Sequence, residues 1–237
     1  MYKVNADISS ETEEIGRTSI FPASWLENES VWLHMEYKLM LEILRSGLHD
    51  EFYENFKKVL VPFLEPEKYG RSILENSSFI VSSAHEDKSL HGQGFVARLS
   101  GSTAEFLHIW LIMNVGEKAF GLDSNGDLTL TFKPVLKGWL FTKIAKKISY
   151  FDGSQLMDVS LPKNTYSFNF LGSVLVVYHN PKRVDTFGKN AAKINEIHLE
   201  YADKKDSVII KAASIGMPYA KDIRDKKVKR IEVFFSS

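Results

Sequence analysis

The chain has 237 residues, 44% of them hydrophobic and 25% charged, with 30 basic side chains matching 30 acidic ones and no cysteine. This length supports one large domain or two small ones. Zero formal charge gives no electrostatic reason to expect nucleic acid or an anionic membrane as partner, and the absence of Cys excludes disulfides and thiolate metal sites. The first residues, Met-Tyr-Lys-Val-Asn-Ala-Asp, carry no apolar leader, and no apolar run approaches the ~20 residues needed to span a bilayer, so the expected location is cytoplasmic.

Residues 20 to about 118 read as helical. Ser24-Trp25-Leu26-Glu27 matches a capping box, just after Pro22. Val31, Met35 and Leu39, with Trp32 and Ile43, follow a 3.6-residue period that Gly47 ends. A second helix is expected from Asp50, with Phe52, Phe56, Val59 and Phe63 on one face and Pro62 disturbing its last turn. Glu65 to Gly70 reads as loop, Ile73 to Ser83 as a weakly periodic helix, and His85 to Gln93 as a long polar loop. Ser102-Thr103-Ala104-Glu105 is a second capping box, opening a helix through Phe106, Ile109, Trp110 and Met113 that stops at Gly116.

After Gly121 the texture changes. Asp123-Ser124-Asn125-Gly126-Asp127 is turn chemistry, and Leu128 to Phe132 alternates like a strand. Tyr166 to Tyr178, broken at Leu171-Gly172-Ser173, reads as two strands or one with a bulge. Ile194–Glu200, Val208–Lys211 and Val228–Phe235 complete a set of short strands at sandwich-like spacing. The expected class is therefore α+β: a helical domain over 1–119, then a β-sandwich domain over 120–237.

Several residues carry possible chemistry. His34 stands off the main apolar line of its expected helix, where a histidine either packs or binds a ligand. Glu27, Asn28 and Glu29 cluster just before it and could hold sugar hydroxyls; otherwise Glu27 is the capping acid and Glu29 is solvated. Ser100-Gly101-Ser102 precedes a helix, so its backbone N–H groups either cradle an oxyanion or are simply capped by Ser102. Arg71, Glu75 and Asn76 form a polar segment, either ligand-facing or loop, and His85 and His91 lack a metal-ligand spacing. Lys143, Lys146 and Lys147 read as a solvated basic face.

Glu27-Asn28, followed by an apolar pair and His34, resembles the Glu-Asn-Gly-Gly-apolar-aromatic-x-His segment of cellobiose and chitobiose phosphorylases. Arg98 to Phe106 resembles their Trp-Tyr-Thr-Gly-Ser-Ala-Ala-Trp segment, and His34 and Ser100 are 66 positions apart, a separation similar to the family's. Glu75 falls where that family has Glu-Pro-Tyr. Leu122 to Phe141 and Leu175 to Pro181 resemble the approach to its C-terminal β-domain and a strand and turn within it.

The resemblance implies the C-terminal part of an inverting glycoside phosphorylase: part of an (α/α) barrel plus a β-sandwich, with phosphate attacking a β-glycosidic bond to release a sugar 1-phosphate. It implies His34, Ser100 and Gly101 as phosphate-binding and Glu27, Asn28 and Glu75 as sugar-binding residues, with an oligosaccharide and inorganic phosphate as ligands and no cofactor or metal. Ser100 keeps the hydroxyl of the family's Thr, whereas Glu29-Ser30 in place of Gly-Gly crowds the sugar side. The family's catalytic Asp and its upstream phosphate-binding Arg have no counterpart: Asp7 is the only Asp before His34, and its surroundings do not match. A protein partner supplying the rest of the barrel, or a homo-oligomer, is therefore expected. Two alternatives stand beside this reading. One is a non-catalytic carbohydrate-binding or interaction protein; the other is a hydrolase using Glu29 and Glu75 as a carboxylate pair.

Overall fold

The computed structural model describes residues 1–97, 101–203 and 207–236. The fold is mixed α and β, with two compact units, Met1–Trp110 and Leu111–Ser237.

In the first unit, β1 (Val31–Trp32) leads directly into α1 (Leu33–Arg45), followed by α2 (His49–Val59), the short α3 (Pro66–Tyr69), β2 (Ser77–Ile80), β3 (Gly94–Ala97) and the start of α4 (Gly101–Val115). The strands form an antiparallel sheet in the order β1-β2-β3, with Val31 opposite Ile80 and Phe79 opposite Phe95. Leu33, Tyr37, Met40, Phe52, Phe56, Phe79 and Ile80 are buried to within 1% exposure and make the core of this unit. Edge-on contact of Trp25 with Phe79, ring centroids 5.3 Å apart, closes one end of it.

Three expectations for this half are corrected. The 24–30 segment is not helical: Ser24, Leu26 and Glu29 all have positive φ, at 66°, 48° and 56°, which no right-handed helix admits. The Ser24 hydroxyl accepts from the Ser82 backbone N–H instead of capping a helix. The buried face of α1 is also not the Val31–Met35–Leu39 line. Met35 and Leu39 are 53% and 39% exposed, while Leu33, Tyr37, Met40 and Leu44 face inward. His34, Lys38, Glu42 and Arg45 form the polar side of this helix, and Met35 and Leu39 lie at the rim of the broad apolar arc, beside the polar side rather than at the arc's centre. Finally, residues 77–80 form a strand rather than a helix. All four are buried, so the segment has no alternation to reveal it. The first half thus contains a sheet as well as helices. Two smaller differences accompany these: 66–69 is a single helical turn, and α4 begins at Gly101, so Ser102 lies within its first turn rather than capping it.

In the second unit, β4 (Phe120–Leu122), which the sequence analysis did not mark, and β5 (Leu128–Thr131) form a hairpin around the expected turn at Asp123–Asp127, and β12 (Ser214–Ile215) adds to β5. Lys146–Phe151 and Leu156–Leu161 pair as the hairpin β6–β7. A five-stranded sheet has the order β11-β10-β13-β9-β8, built from Thr165–Phe170 (β8), Val174–His179 (β9), Ile194–Tyr201 (β10), Val208–Ile210 (β11) and Val228–Phe235 (β13). Its β13–β9 pairing is parallel and its other pairings are antiparallel. Strands β8 and β9 are two strands joined at Leu171 and Gly172, with φ of 52° and 77°; two successive positive φ values are the mark of the tight turn that matches strand twist. Helix α5 (Tyr219–Arg224) buries Ala220 and Ile223. The core combines Leu130, Phe132, Leu136, Val174, Val176, Tyr178, Ile197, Leu199, Ile231 and Val233.

Candidate functional site

His34 is the second residue of α1 and is half-buried. Tyr37 lies one turn further on the same face, since residues three apart on a helix are neighbours. Its ring is fully buried, and its hydroxyl accepts from the Val61 N–H at 3.1 Å and donates to Asn76 Oδ1 at 3.2 Å. Asn76 Nδ2 in turn donates to Thr103 Oγ1 at 3.2 Å, in the first turn of α4. One chain of hydrogen bonds therefore connects α1, the segment before β2 and the start of α4.

That chain brings three of the expected site residues onto linked elements. His34 is one turn from Tyr37, Glu75 adjoins Asn76, and Gly101 opens the helix whose third residue is Thr103. Ser100 lies outside the described residues. Glu75 takes an ion pair from Arg71 at 2.8 Å, and its backbone carbonyl accepts from the Tyr69 hydroxyl at 2.9 Å, which fixes the segment from below. Burial pushes the Tyr69 hydroxyl above its ordinary pKa, against the opposing hydrogen bond to Ser77, so it remains a proton donor at neutral pH. The backbone N–H groups of the first turn of α4 lack carbonyl partners within the helix, and its dipole favours negative charge there. The Ser102 hydroxyl, in a residue 1% exposed, has no hydrogen-bond partner among the described residues.

Glu27 and Asn28 are placed differently. Glu27 holds Arg17 through both oxygens at 3.2 Å. Asn28 is 8% exposed and donates to the Phe21 carbonyl at 2.7 Å. Both side chains thus fasten the turn before β1, and no described contact ties either to the Tyr37–Asn76–Thr103 chain. Glu29 is buried against Lys3, with Asn5 and Ser82 on its backbone. Glu29 and Glu75 are each committed to a cation.

The remaining candidates serve locally. His85 Nδ1 accepts from the Asp87 N–H at 3.0 Å, and His91 Nε2 meets the His85 carbonyl at 2.8 Å, so both imidazoles order their loop. Among the described residues, no group of three or more His, Asp or Glu side chains is arranged to hold a metal ion. His108 contacts Arg45 at 3.2 Å. The sequence analysis named Asn76 in its polar segment and Thr103 only within a capping box, and missed Tyr37, whose signal was its place one turn from His34.

One carboxyl group in this unit is strongly perturbed. Glu36 is 3% exposed, and burial raises its pKa to about 6, partly offset by the amino terminus and by the Tyr2 N–H at 3.1 Å. Two residues from His34, it projects from a different side of α1 and belongs to the packing around the N-terminal strand of chain.

No protein-family model matches the chain, and no curated protein matches it. Among the described residues, no helix is long and apolar enough to cross a membrane.

Proposed function

We propose that this chain is the C-terminal share of a carbohydrate-active enzyme of the inverting glycoside phosphorylase type, binding inorganic phosphate and an oligosaccharide. The observation supporting it is the hydrogen-bond chain from Tyr37 through Asn76 to Thr103. It links the helix bearing His34, the segment bearing Glu75 and the helix that Gly101 opens. On this reading α1, α2 and α4 belong to an (α/α) barrel, and the sheets of the second unit form a β-sandwich domain.

In the reaction, a phosphate oxygen forms a bond to the anomeric carbon while the glycosidic C–O bond breaks from the opposite face. The departing oxygen takes a proton from a carboxylic acid. His34, the Ser100 hydroxyl and the N–H groups beginning at Gly101 hold and orient phosphate; Glu75 contacts sugar hydroxyls. Glu27 and Asn28 act indirectly, by shaping the turn that leads into α1. No residue of this chain is assigned the acid role, so the chain is expected to bind phosphate without cleaving a glycoside alone. On this reading the acid is supplied by a protein partner that completes the barrel. Exposed Met35 and Leu39 on α1 and Leu107 on α4 are apolar surface for such a partner or a second copy.

The test is thermal stability against added phosphate, for the wild type and His34→Ala. A rise that the substitution abolishes supports the reading; no rise in the wild type contradicts it.

A further inference from the structure

The second unit holds a cleft of about 360 Å³, lined by residues from the β6–β7 hairpin and from β9, β10 and β13. This size is within the range of small-molecule sites. Leu175 and Val228, each 1% exposed, back the cleft, and Tyr150 is half-buried against the cluster of Leu161, Leu175 and Val177; the accessible lining is more polar than apolar. Around them stand three carboxylates, Asp152, Asp158 and Glu200, and three cations, Lys226, Lys229 and Arg230.

One ion pair lies within the lining, and two more tie lining residues to neighbours outside it. Lys229 Nζ is 2.8 Å from Glu200 Oε1, Lys147 Nζ is 2.9 Å from Asp158 Oδ2, and Arg230 pairs with Glu232. Three carboxylates against three cations leave the lining without net charge, so no long-range field favours an anion or a cation. What remains is a dense set of donors and acceptors beside one half-buried aromatic ring. That combination fits a ligand with hydroxyls at its edge and C–H groups on its faces.

We propose that this cleft is a non-catalytic binding site for a neutral oligosaccharide, with a sugar ring against Tyr150 and its hydroxyls shared among Glu200, Lys229 and Arg230. The proposal is built wholly from residues of the second unit and does not rest on the phosphate reading of the first.

The experiment is saturation-transfer difference NMR on the full chain with millimolar cellotriose, chitotriose and xylotriose in turn, using wild type, Glu200→Ala and Tyr150→Ala. At least one trisaccharide is expected to receive saturation, several-fold more weakly with Glu200→Ala and Tyr150→Ala. Glu200 has a side chain 42% exposed, so its substitution tests the site without disturbing the core. No transfer to any of the three sugars overturns the proposal. So does transfer that Glu200→Ala and Tyr150→Ala leave unchanged.

Discussion

Asn76 and Thr103 are joined by a side-chain hydrogen bond of 3.2 Å across 27 positions of sequence. The same Asn76 accepts from the buried Tyr37 hydroxyl, so one amide sets the spacing of two helix starts. Asn76→Ala leaves the Tyr37 O–H without its acceptor inside the core. The expected cost is about 1–3 kcal/mol, because a buried donor loses its partner without regaining water. Thr103→Val removes only the outer bond and should cost less, about 1 kcal/mol. Urea denaturation of both variants checks the order, and equal costs would mean that the inner bond carries no special weight.

Glu36 gives a stability that depends on pH. Its folded pKa is about 6, against an ordinary value of 4.5, so the folded state holds the proton more tightly than the unfolded one. The resulting stability is fully present below about pH 4.5 and is lost as pH rises through about 6. The shift corresponds to about 2 kcal/mol at most. Glu36→Gln keeps an acceptor for the Tyr2 N–H and removes the ionisation. The variant should therefore gain on the wild type between pH 5 and 7.5, as measured by melting temperature; a constant difference across that window would contradict the assignment.

Gly138 approaches the chain more closely than a side chain allows. A Cβ placed there would lie 1.8 Å from the Arg183 carbonyl oxygen, and the Gly138 N–H donates to Asp185 at 2.8 Å. Gly138→Ala must displace backbone, so a loss of about 3 kcal/mol or more is expected. Calorimetry should show the transition of the second unit lowered.

The exposed Met35 and Leu39 are one turn apart on α1. If they are partner surface, Met35→Lys with Leu39→Lys should reduce association in sedimentation velocity while leaving the melting temperature nearly unchanged. A large drop in melting temperature would show instead that these residues stabilise the unit itself.

The legible parts of this fold are those where local chemistry and tertiary structure agree. Gly172 between apolar runs marks the β8–β9 turn, Asp123 to Asp127 marks the β4–β5 turn, and Phe52, Phe56 and Val59 mark the inner face of α2. The illegible parts are those settled by distant contacts. Ser24 and Glu27 have the spacing of a helix cap, but Ser82 and Arg17 take them instead. The β2 strand is buried throughout and so carries no alternation. The β6–β7 hairpin was hidden because Lys146 and Lys147 read only as a charged face. Of the candidate site, His34, Glu75 and Gly101 were visible as residues. What connects them, Tyr37 with Asn76 and Asn76 with Thr103, spans 39 and 27 positions and has no local signature.

The central claim is a phosphate site dependent on His34 and on the start of α4. It is tested most directly by melting temperature in rising phosphate, for the wild type, His34→Ala and Asn76→Ala. Ligand at about ten times its Kd stabilises the folded state by about 1.4 kcal/mol, a rise of a few degrees. The account predicts that rise in the wild type, its loss in His34→Ala and its reduction in Asn76→Ala. A wild type indifferent to phosphate, or a rise that both variants retain in full, would contradict it.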